Sequence, residues 1–95
     1  MKVKLDDFYL NVLIKGLYLR HTSYDDETNG TIDTLLLRLV DESDKLKPNR
    51  KAKLCFEPVE LSVIRRCLFD WRNEQVQAEK ESAVEVIREL LEKVL

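Results

Sequence analysis

The sequence predicts a mostly α fold with a minor β component: a tandem β-α-α repeat forming a four-helix bundle of two helical hairpins, beside which two short strands are able to pair. Three observations predict it. The chain is 44% hydrophobic and 36% charged with only two Gly and two Pro in 95 residues, a composition that suits an ordered helical globule rather than a disordered segment. Sliding the chain on itself by 51 positions sets Leu10 on Leu61, Val12 on Val63, Leu17 on Leu68 and Leu39 on Leu90 in one gap-free register. Apolar residues recur every three to four positions in four separate stretches.

The length suits one domain, 1–95, in which a chain of this size buries roughly 60 to 65% of its unfolded surface. The repeats span 1–44 and 52–95, with a charged linker at 45–51 that carries Pro48. Each copy opens with a short alternating stretch, Val3 to Leu5 and Lys53 to Phe56, which reads as a brief strand. A helix start follows. Asp6 and Glu57 stand where free backbone amides and the positive dipole end favour a carboxylate, and Pro58 occupies a first-turn position where a missing N–H costs nothing.

The first helices carry their core stripes on Leu10, Leu13, Leu17 and Tyr24, and on Leu61, Ile64, Leu68 and Trp71. Asn29-Gly30 and Lys80-Glu81 read as the breaks between arms, with Thr31 and Ser82 capping the returning helices and Ser82 with Glu85 forming a capping box. The returning helices present Ile32, Leu35, Leu36, Leu39 and Val40, and Ala83, Val86, Ile87, Leu90, Leu91 and Val94. A hairpin with one oily face cannot bury it alone, so the two hairpins are expected to dock.

The copies differ in a telling way. Tyr9, Ile14, Leu19 and Leu37 stand where the second copy has Glu60, Arg65, Asp70 and Arg88. With Phe8 and Val12 as well, the first helix is apolar around most of its circumference, which points to a self-association or partner surface. Tyr9, Ile14, Tyr18, Leu19 and Leu37, together with Trp71 and Arg72, are the candidate protein-binding residues; Trp and Arg are enriched among interface hot spots.

Residues that could carry chemistry are sparse. Asp25 to Ile32 resembles the first two-thirds of an EF-hand loop, with glycine sixth and isoleucine eighth, but Leu36 takes the twelfth place where a bidentate carboxylate is needed. A polar turn is the better reading. His21 is the single histidine, read as structural, and Cys55 and Cys67 suit small apolar packing in a reducing compartment. No phosphate cradle or nucleophile elbow appears. The expectation is therefore a protein that is not an enzyme and needs no catalytic residue, metal or cofactor.

Sixteen basic residues stand against eighteen acidic ones, so the whole-molecule field exerts no general pull on nucleic acid or on anionic membranes. Local basic clusters do exist, at Lys45, Lys47, Arg50, Lys51 and Lys53 and at Arg65-Arg66, but Asp41, Glu42 and Asp44 offset the first, which reads as a solvated linker. No charged leader precedes an apolar segment, and no apolar run approaches the roughly 18 to 20 residues that span a bilayer, so a cytoplasmic location is expected.

The stretch from Glu60-Leu61 to Trp71-Arg72, with Val84-Glu85-Val86-Ile87 and Leu90-Leu91-Glu92-Lys93, resembles small uncharacterised proteins of phages and prophages of Gram-positive bacteria, over about a third of the chain. That resemblance implies a short accessory protein that binds a host protein, for instance to inhibit a defence system. The expected function is a non-enzymatic protein-binding module, an inhibitor or adaptor, that forms a homodimer or higher oligomer and binds a host protein. The alternative is a small nucleic-acid-associated regulator using Arg65, Arg66, Arg72 and the basic linker.

Overall fold

The computed structural model describes residues 1–95. Its elements run β1 (Lys2–Leu5), α1 (Asp7–Tyr18), α2 (Asp26–Lys45), β2 (Ala52–Cys55), α3 (Pro58–Gln77) and α4 (Glu81–Val94). The protein is thus mostly helical with one small antiparallel sheet, in which Val3 pairs with Leu54 and Lys4 with Lys53. The alternation of the strands turns Val3, Leu5, Ala52 and Leu54 inward and leaves Lys2, Lys4, Lys53 and Cys55 outside.

The starts of α1 and α3 follow the acidic cues. The Asp6 carboxylate accepts from the Tyr9 amide at 2.9 Å, and Glu57 and Glu60 form a reciprocal capping box with Pro58 in the first turn. Leu10, Leu13 and Leu17 of α1 and Leu61, Ile64, Leu68 and Trp71 of α3 are all buried. These two helices pack on each other, α2 packs on both α1 and α3, and α4 on both α3 and α1. Twenty-one apolar residues form one continuous core, and no charged or polar side chain is buried with them.

The first expected break is displaced, whereas the second falls at residues 78–80, ending on the expected Lys80. Asn29 and Gly30 lie inside α2, and the chain turns earlier, over residues 19–25. The cause is local: the acidic run Asp25-Asp26-Glu27 favours a helix start, and the Asn29 side chain accepts from the Tyr24 amide and donates to the Tyr24 carbonyl, each at 3.0 Å. Gly30 keeps an ordinary negative φ. Tyr24 accordingly lies beyond the end of α1 and outside its stripe.

The second break closes α3 by backbone bonds. Glu79 adopts a φ of 58°, its amide bonds the Val76 carbonyl, and the Lys80 amide bonds that of Gln75, which is a Schellman ending. The N-cap of α4 is then Lys80, and Ser82 falls in the first turn rather than at the cap. The arms therefore differ in length: α1 is 12 residues and α3 is 20, while α2 is 20 and α4 is 14. No helix is long and apolar enough to cross a membrane.

Candidate interaction groove between α1 and α2

Helix α2 carries two adjacent apolar stripes. Ile32, Leu35 and Leu39 go into the core, whereas Leu36 is half-buried and Leu37 and Val40 face outward, with Leu37 78% exposed. Beside them α1 presents half-buried Ile14 and Tyr18, the latter 63% exposed. Together Ile14, Tyr18, Leu36, Leu37 and Val40 line an open groove of about 450 Å³. Three of the seven candidate protein-binding residues, Ile14, Tyr18 and Leu37, thus converge in one apolar depression.

The groove has a polar edge. His21 stacks on Tyr18 with ring centroids 5.1 Å apart, and its Nδ1 lies 3.8 Å from an Asp33 carboxylate oxygen. Asp33, Leu37, Val40 and Asp44 follow one another at spacings of four, three and four along α2 and are all exposed, so they share a stripe on which carboxylates bracket the apolar residues. Asp41, next to Val40, pairs with Lys45 at 2.8 Å.

The other expected residues fall elsewhere. Leu19 is 51% exposed at the end of α1 but does not line the groove. Tyr9 faces α4: its hydroxyl donates to Glu89, whose carboxylate pushes the phenol pKa above its ordinary range, and Lys93 sits over its ring at 5.0 Å. Phe8 meets Tyr9 edge to face and remains 56% exposed. Trp71 is buried, with its ring against Gly16, so it fills the core rather than offering an anchor; Arg72 next to it is half-buried.

The charged counterparts in the second copy are committed to internal contacts. Glu60 belongs to the α3 cap and pairs with Arg38 at 3.4 Å. The Arg65 Nε donates to the Val94 carbonyl at 2.8 Å, satisfying the end of α4. Asp70 accepts from the Tyr24 hydroxyl, and Arg88 pairs with Glu85 and Glu92. Arg66 lies over the Tyr24 ring at 4.3 Å.

Leu36 and Val40 were not singled out for this surface by sequence reasoning, which assigns them to the core with the rest of α2. The available signal is that α2 has six apolar residues in nine positions, 32–40, more than one buried face needs. No group of three or more His, Cys, Asp or Glu side chains comes together in a way that could hold a metal ion, and the EF-hand-like residues are taken up by the turn and the first turns of α2. No protein-family model, curated protein or solved structure matches the chain.

Proposed function

We propose that this protein is a non-enzymatic protein-binding module, an inhibitor or adaptor that engages a host protein through the groove between α1 and α2. One observation carries the reading: Leu37, a large aliphatic side chain in mid-helix, is left almost entirely in water beside Val40, Tyr18 and Ile14, and contiguous apolar surface with a polar rim is the usual mark of an interface. The likeness to small phage and prophage proteins supports a host protein as the target. The rim refines the expected homodimer: a symmetric pairing of two α2 faces would set Asp33 against Asp44 of the second copy, or each against its own copy, so the charge pattern favours a foreign partner with basic residues flanking its apolar anchors.

The same reading takes the fold as a duplicated β-α-α unit closing on itself as a four-helix bundle. It is supported by the repeated element order, by the antiparallel pairing of β1 with β2, and by the burial of both members of Leu5/Phe56, Leu10/Leu61, Leu17/Leu68 and Leu39/Leu90 under the 51-residue shift. After such a duplication one copy is free to keep its charges for internal contacts while the other turns apolar for a partner.

The test is a photo-crosslinking residue placed at position 37, with a control at exposed Ser62 of α3, in cells that produce the protein. A discrete adduct from position 37 and none from 62 supports the reading. Absence of any adduct at 37 overturns it.

A further inference from the structure

The outward face of the two-stranded ribbon and the loop that leads into it form a second surface, built from none of the groove's residues. Lys2, Lys4 and Lys53 project from the ribbon, and Lys47, Arg50 and Lys51 follow α2 in the loop before β2. The two depressions that these residues line adjoin, since Lys53 belongs to both. All six are exposed, and none takes part in any of the ion pairs of the fold. Six of the sixteen basic residues of an acidic chain are thus gathered at one place without an ion-pair partner, and Glu42 is the single carboxylate that lines the two depressions with them. Within the strands Lys4 lies directly opposite Lys53, a like-charge pair that costs stability unless an anion sits between the ammonium groups.

From this placement we infer that the ribbon is a binding site for the phosphates of duplex DNA. The shape agrees with the charge. Four-residue strands are about 13 Å long and about 5 Å apart, and the B-form major groove, about 12 Å wide, admits a two-stranded ribbon. The deep major groove of duplex RNA does not. Single strands are held by stacking bases on aromatic rings, and the outward side chains here are Lys2, Lys4, Lys53 and Cys55, without a ring among them. The same lack of apolar groups argues against insertion into an anionic membrane surface. Of the helix arginines read from the sequence as meeting nucleic acid, Arg65 is held by the Val94 carbonyl, Arg66 lies over the Tyr24 ring, and Arg72 is half-buried beside Trp71, away from the ribbon. The contacting cations are therefore those of the ribbon and its loop.

Fluorescence anisotropy with a labelled 20-base-pair duplex, over a NaCl series from 20 to 200 mM, tests the site. Each phosphate neutralised contributes about −0.9 to the slope of log K against log salt, so six cations that each meet a phosphate predict a slope of about −5. The double variant Lys4→Gln/Lys53→Gln is expected to flatten that slope by about 2 and to weaken binding at 50 mM salt by about tenfold or more. It removes a like-charge pair and is expected to melt no lower than the parent. Should it fail to fold, Lys47→Gln/Lys51→Gln in the loop reads the same surface. Absence of duplex binding at 20 mM salt, an unchanged slope in the variant, or tighter binding to the single strand or to phosphatidylserine vesicles would each overturn the assignment.

Discussion

The ring of Trp71 lies against the backbone of Gly16, so close that a Cβ at position 16 would fall 2.9 Å from Cε3 and 3.1 Å from Cζ3. This is where α1 and α3 cross, and glycine is tolerated in mid-helix because nothing larger fits under the indole. Alanine would gain about 1 kcal/mol of helix propensity but must displace a large buried ring, and overpacking costs about 1–3 kcal/mol. Gly16→Ala is expected to be less stable than the parent by about 1 kcal/mol and to shift the emission of the single tryptophan. Unchanged or raised stability in urea unfolding would mean that the two helices part without cost.

The Gly16–Trp71 contact shows why part of the fold was legible and part was not. Periodicity alone identifies Leu10, Leu13 and Leu17 and their counterparts as core, because a helix in water must hide a repeating stripe, and the buried set agrees. The strand pairing was legible too, from two short alternating stretches. The form of the turns was not. Asn29-Gly30 has the composition of a turn, yet a side chain that clamps the preceding residue and an acidic start pull both residues into α2. The α3–α4 break uses Glu79, an unusual residue for a left-handed backbone, and no composition rule flags it. For the groove, apolar excess in the first copy was visible, but only packing decides which apolar residues the core rejects.

The two glycine-sensitive positions of these turns give opposite expectations for familiar substitutions. Glu79 holds a φ of 58°, where a Cβ costs about 1 kcal/mol, so Glu79→Gly should stabilise by that amount, roughly 4 to 8 °C in Tm for a domain of this size. Glu79→Ala keeps the Cβ and should gain little. Gly30 is helical with open space where a Cβ would stand, and Gly30→Ala should also stabilise, by about 1 kcal/mol. Differential scanning calorimetry distinguishes the three variants, and a destabilised Glu79→Gly would contradict the helix ending described here.

The turn from α1 to α2 is pinned to α3 through Tyr24. Its hydroxyl donates to Asp70 and its ring lies under Arg66, and burial together with the carboxylate holds the phenol well above its ordinary pKa. Tyr24→Phe removes the donor, leaves Asp70 without it, and should cost about 1–2 kcal/mol. Asp70→Ala should cost a similar amount, and the double variant little more than either, since both remove one interaction. Additive losses in urea unfolding would show that Tyr24 and Asp70 act independently.

Leu37 separates binding from stability. At 78% exposure it contributes little to the core, so Leu37→Glu should change unfolding free energy by no more than about 0.5 kcal/mol. The same substitution places a charge in the middle of the groove and should abolish capture of the partner. A variant as unstable as a core truncation would mean that Leu37 packs in the protein and is not waiting for another molecule.

The two thiols differ in environment, and the difference has a definite pH dependence. Cys55 is exposed and Cys67 buried; at pH 8 in the folded protein Cys55 should react with a disulfide reagent and Cys67 only on unfolding. Burial pushes the Cys67 thiol from its ordinary 9.0 up to about 11, partly opposed by the neighbouring Tyr24 hydroxyl. The folded state therefore holds this proton to higher pH than the unfolded chain. Its contribution to stability is complete below pH 9 and is lost as the pH rises from about 9 to about 11, a loss of order 2 kcal/mol. Tyr24, also raised, adds to the decline only above its ordinary value of 10.0, so between pH 8.5 and 10 the slope belongs mainly to Cys67. Cys67→Ala should lower stability at neutral pH through lost packing but flatten the decline over that interval, while Cys55→Ala should leave it as in the parent. Parallel declines for the parent and Cys67→Ala in urea unfolding would place the thiol in contact with water and contradict its burial beside Tyr24.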